Sequence, residues 1–159
     1  MKKGISMLML VVTILMMIII MSTITVSINI TTGRENISTL ENNLSTIEEY
    51  VDSCRILNEE LPFSSSMSYE DVKKLVDSNN FTEFNNELMS NGDSVSSTFR
   101  KVEISEIGIK KEFYGYGKNG KDDIFVYSED TGIAYYLKGV LYKGERYFSI
   151  SSRLTNFVK

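Results

Sequence analysis

The spacing of apolar positions changes twice along the chain, and the changes divide it into three parts. Between Gly4 and Gly33 there is no charged residue, and residues 7–21 contain a single polar side chain, Thr13. As a helix, residues 5–28 would extend roughly 36 Å, against the about 30 Å needed to cross a bilayer core. The pattern therefore predicts a membrane segment over 5–28, with Lys2 and Lys3 holding the start inside and the remainder outside. After it, Ile30, Ile37, Leu40, Leu44, Ile47, Val51, Cys54 and Leu61 recur on a 3-4 alternation, with Glu35, Glu41, Glu48, Glu49 and Asp52 between them. This predicts an amphipathic continuation of the same helix over 29–61, stopped by Pro62. The spacing serves equally for packing on a domain and for a two-stranded coiled coil.

Residues 62–99 read as a Ser- and Asn-rich connecting region with short helices. Ser68-Tyr69-Glu70-Asp71 has the form of a capped helix start, followed by Val72, Leu75 and Val76 at helical spacing. Phe81, Phe84 and Leu88 mark a second short helix that should stop near Asn91-Gly92. From residue 100 the period shortens to two. Val102 with Ile104, Ile107 with Ile109, and runs over 113–116, 124–127, 133–137 and 147–150 are separated by Gly-containing turns. The expectation over 100–159 is an antiparallel meander of four or five strands, and seven of the nine tyrosines fall in it.

Composition narrows the chemistry. The chain has no His and one Cys, so a Ser-His-Asp or Cys-His arrangement, an imidazole metal site and an internal disulfide are all excluded. Past Gly33 there are 15 Lys and Arg against 21 Asp and Glu, a net charge of −6, and no basic stripe for nucleic acid. Nothing points to an enzyme, a metal or a cofactor. Cys54 sits on the apolar stripe and reads as a small core residue.

Lys2-Lys3-Gly4 followed by Ile5-Ser6-Met7-Leu8-Met9-Leu10-Val11-Val12 resembles the leader and start of the type IV prepilins, the family of pilins and type II secretion pseudopilins. The resemblance implies cleavage after Gly4 by a prepilin peptidase, leaving residues 1–4 as a leader and Ile5 as the N-methylated first residue. It also implies that residues 5–28 form the membrane and filament-core helix. Its partners would then be other pilin or pseudopilin subunits, the peptidase and membrane lipid. Most members have glutamate at the fifth mature position, where this chain has Met9. A buried charge must be paired, so its loss removes one assembly device and points to a minor rather than a bulk subunit. Asp130-Thr131-Gly132-Ile133-Ala134-Tyr135-Tyr136-Leu137-Lys138-Gly139 is similar to carboxy-terminal segments of pilin-like proteins from low-GC Gram-positive bacteria, and the single alanine, Ala134, fits an AT-rich genome.

The expected fold class is thus α+β and pilin-like: a long N-terminal helix, membrane half plus amphipathic half, packed on a small antiparallel sheet. The expected function is that of a minor pilin or pseudopilin in a pilus or secretion pseudopilus, single-pass with its start cytoplasmic until assembly places it in an extracellular filament. The alternative is an uncleaved single-pass protein with an extracytoplasmic binding domain. Gly115-Tyr116-Gly117-Lys118-Asn119-Gly120-Lys121 imitates a phosphate loop, but Asp122 and Asp123 follow and a strand comes next, so it reads as a hairpin turn. The pairs Asp122-Asp123 and Glu129-Asp130 lack calcium-loop spacing and read as solvated turns.

Overall fold

The computed structural model describes residues 2–61, 63, 66–104, 107 and 123–150, and within the first helix the side chains of residues 9–18 and 34–57. The elements run α1 (Lys2–Leu57), β1 (Ser66–Met67), α2 (Tyr69–Leu75), α3 (Phe81–Ser90), β2 (Phe99–Val102), β3 (Phe125–Ser128), β4 (Ala134–Tyr142) and β5 (Glu145–Ser149). The strands form one sheet in the order β1-β2-β3-β4-β5, every neighbouring pair antiparallel.

The 3-4 stripe of α1 is its packing face. Ile37, Leu40, Leu44, Ile47, Val51 and Cys54 are all buried. They cover one side of the sheet, against Val102, Phe125, Tyr127, Ala134, Tyr136, Val140, Tyr142 and Tyr147. The helix ends at Leu57, before the expected stop. Asn58 takes a left-handed φ of 55°, its N–H reaches Arg55 O, and the Glu59 N–H bonds Cys54 O at 3.0 Å. These paired bonds satisfy the last carbonyls of the helix without a proline, and Pro62 itself lies outside the described residues.

The expected fold class is corrected in two respects. Among the described residues no helix is long and apolar enough to cross a membrane. The described side chains of α1 fall in two stretches, residues 9–18 and 34–57. The longer stretch, residues 34–57, carries Arg34, Glu35, Glu41, Glu48, Glu49, Asp52 and Arg55. The second correction concerns layering: the sheet is covered on both faces rather than by one helix. Tyr69, Val72, Val76, Phe84 and Leu88, from α2, α3 and their junction, pack on Phe99, Val126, Tyr135, Leu137 and Phe148. Neighbouring side chains of β3 and β4 point to opposite helical layers, Phe125 and Tyr127 to α1, Val126 to α2 and α3.

The region expected to connect helix to sheet therefore builds the third layer and contributes the short end strand β1. Its first helix starts as its sequence dictates: the Ser68 hydroxyl accepts the Asp71 N–H, and the Asp71 carboxylate accepts the Ser68 N–H at 3.2 Å. At the far end, β4 turns into β5 through Lys143 and Gly144, both at positive φ (51° and 85°), with Tyr142 opposite Glu145. Of the strand expected at Ile107 and Ile109 only Ile107 is described, and it lies in a turn; the strand expected over 113–116 and the turn 117–121 lie outside the described residues.

Candidate functional site

Lys2, Lys3, Gly4 and Ile5 fall within the first turns of α1, and their side chains lie outside the described ones. Met9 is described and stands 68% exposed. It opens a surface that includes Leu10, Val11, Val12, Ile14, Leu15, Met16, Met17 and Ile18, every one of them about half exposed or more. Even the one hydroxyl is turned inward, since Thr13 Oγ1 donates to Leu10 O at 2.8 Å. Single soluble chains seldom leave a contiguous apolar surface of this kind uncovered.

The other end of the same helix is fastened to the sheet by polar as well as apolar contacts. Glu48 Oε1 accepts the Ala134 N–H at the start of β4, at 3.0 Å, and the Arg55 guanidinium lies 5.7 Å from the centre of the Tyr127 ring. Burial raises the Glu48 pKa above its ordinary 4.5, the Ala134 N–H opposes the rise, and nearby Asp52 adds to it. A raised carboxyl pKa means that the folded chain holds its proton to higher pH than the unfolded chain. Stability contributed here is present below 4.5 and declines as pH rises through the folded value. Glu48→Gln retains an acceptor for Ala134 and removes the charge. It is expected to stabilise the domain slightly at pH 7, by no more than about 1 kcal/mol because the site is part-solvated, and to leave stability unchanged at pH 3.5. Urea unfolding at the two pH values checks this.

A second group of polar side chains lies under the opposite face of the sheet. Helix α3 ends in Asn91 and Gly92, and Gly92 at φ 96° bends the chain so that Asp93 N bonds Leu88 O at 3.2 Å. The bend delivers Asp93, 3% exposed, beneath β3 and β4. There its carboxylate accepts from Ser128 Oγ (2.5 Å), Tyr135 OH (2.6 Å) and Thr131 Oγ1 (2.9 Å). Asn91 Nδ2 donates to Ser149 Oγ at 2.8 Å, and the Glu87 carboxylate accepts from Ser149 Oγ and from the Phe148 and Ser149 N–H groups. Burial first, then the bond to Asp93, push the Tyr135 phenol well above its ordinary range, so it serves as a fixed donor.

This cluster has the look of a reactive site and the connectivity of a lock. Its hydroxyls are committed to carboxylates, and no buried side-chain polar atom among the described residues is left without a partner. The sequence reading missed Glu87, Asn91, Asp93, Ser128, Tyr135 and Ser149 as a group. Its one local signal was Asn91-Gly92, which marks both the end of α3 and the bend that buries Asp93. The acidic pairs are likewise engaged. Asp123 accepts from Tyr136 OH at 2.7 Å, Glu129 pairs with Arg100, and Asp130 accepts the Thr98 N–H at 2.8 Å. Asp122 and the glycine-rich run 115–121 lie outside the described residues. Among the described residues no three His, Cys, Asp or Glu are grouped to hold a metal ion, and Cys54 is buried. Compared with known proteins, the chain matches no family model, no curated protein and no solved structure.

Proposed function

We propose that the chain is a minor subunit of the type IV pilin or type II secretion pseudopilin class, working by packing rather than by catalysis. In this reading a prepilin peptidase removes residues 1–4 after Gly4, Ile5 becomes the methylated terminus, and the uncharged stretch associates with the equivalent stretches of other subunits. Lys2 and Lys3 keep the start on the cytoplasmic side, and the sheet domain is held outside. The observation that carries the reading is the exposure of residues 9–18 on a helix whose other end is buried in the domain. Water-exposed apolar surface costs about 25 cal/mol per Å², so such a helix calls for neighbours. Met9, in place of a charge that would need pairing, suits a position taken once or a few times in an assembly.

The test is made at one bond. Co-expression with a prepilin peptidase, followed by mass spectrometry of the amino terminus, is expected to show a methylated Ile5. Gly4→Ala is expected to reduce processing at least tenfold and to leave the folded domain unchanged. An intact Met1 with an uncut Gly4–Ile5 bond would overturn the reading in favour of an uncleaved anchored protein with an extracytoplasmic binding domain.

A further inference from the structure

Five of the eight methionines fall within residues 5–28, at positions 7, 9, 16, 17 and 21. Three of these have described side chains, and all are open: Met9 at 68%, Met16 at 60% and Met17 at 65% exposure. On a helix with 3.6 residues per turn, Met9 and Met16 lie roughly 20° apart, and all three fall within an arc of about 100°. Thr13 lies inside that arc, and its hydroxyl is spent on Leu10 O. The arc is therefore faced by thioethers and by no free polar group among its described members. Met67, by contrast, is part-buried against the α2 and α3 cluster, and Met89 is 39% exposed.

We infer that Met9, Met16 and Met17 are a modification site, an oxidation-sensitive face whose conversion to methionine sulfoxide weakens association of the apolar stretch. The inference rests on the proposed subunit role. The reaction needs a two-electron oxidant of the peroxide class. With hydrogen peroxide the thioether sulfur attacks one oxygen, the O–O bond breaks, that oxygen stays on sulfur and gives up its proton, and the other oxygen takes that proton and leaves as water. Each sulfoxide places a strong acceptor on a surface whose described members offer no free donor, at positions where a flexible apolar side chain would otherwise adapt to a neighbour. Burying an unpaired polar oxygen of this kind weakens association by about tenfold per site. A methionine sulfoxide reductase restores the thioether, so the change is reversible.

The experiment uses the full chain in mild detergent, with association followed by sedimentation before and after dilute hydrogen peroxide. Peptide mass mapping is expected to find one added oxygen at Met9, Met16 and Met17 before Met67. Association is expected to fall at least tenfold, to return after treatment with the reductase, and to be peroxide-insensitive in the M9L/M16L/M17L chain, which keeps the apolar surface. Undiminished association with sulfoxide mapped at all three positions would overturn the inference while leaving the subunit role standing. Equal sensitivity in the triple-leucine chain would overturn the assignment to these residues. A reduced chain that fails to associate at all, alone or with other pilins, would remove the subunit role and this inference with it.

Discussion

Asp93→Ala is expected to destabilise the domain by about 3–5 kcal/mol, because it strips the shared acceptor from three hydroxyls, two of them buried. The carboxylate accepts three hydroxyls, and two of their owners, Ser128 and Tyr135, are themselves fully buried. Truncation leaves each of those hydroxyls without its acceptor, at about 1–3 kcal/mol apiece, and opens a space between the α3 turn and the sheet. Asp93→Asn should cost distinctly less, because the amide keeps one acceptor oxygen and the hydroxyls can rotate to receive its N–H groups. For a domain whose total stability falls within the usual 5–15 kcal/mol, about 4 kcal/mol is the difference between a folded and a partly unfolded population at 37 °C. Urea denaturation of the two variants, read by tyrosine fluorescence and far-UV circular dichroism, decides it. Equal losses would show that the charge and its three bonds are not what holds the turn.

The second large effect is expected at Gly139. This residue has φ 63° at the point where the β4–β5 register shifts between Tyr135 and Val140. A Cβ added there would lie 2.7 Å from Arg146 Cγ and 2.8–2.9 Å from the Phe148 ring. The arginine stem can move aside, but the ring cannot, because Phe148 is fully buried with Phe84 standing edge-on at 5.3 Å. Gly139→Ala combines the left-handed strain of about 1–2 kcal/mol with overpacking of about 1–3 kcal/mol, so a loss of about 2–5 kcal/mol is expected. Gly144→Ala is the internal control. It has φ 85° and nothing within 4 Å of the added carbon, so only the strain applies. A Gly139 variant no worse than the Gly144 variant would disprove the steric account of the register shift.

The local devices were legible because each is written in a few adjacent residues. The 3-4 stripe from Ile37 to Cys54, the Ser68 and Asp71 cap and the Lys143-Gly144 turn all carry their own physical cause. The second covering layer was not read, although its trace was present. Phe125-Val126-Tyr127 and Ala134-Tyr135-Tyr136-Leu137 contain no polar position, whereas a sheet with one wet face would place one at every second residue. Uninterrupted apolar runs thus signal two covered faces, and the short helices expected as connection supply the cover. The Asp93 cluster was beyond reach for a different reason. It joins Glu87, Asn91 and Asp93 with side chains 35 to 62 positions away, and no local period encodes such pairings. The membrane span expected over 5–28 is not retained, since among the described residues no helix is long and apolar enough to cross a membrane.

One consequence follows from the placement of Glu87. Among the described residues β5 is the last strand of the sheet, and a last strand normally offers a row of free amides to any extended chain nearby. Here two successive amides, those of Phe148 and Ser149, end on the carboxylate of a helix lying alongside. A stray strand arriving at that margin would have to displace a carboxylate fixed by its own domain. Sheet-to-sheet joining between separate molecules is thereby hindered at this margin.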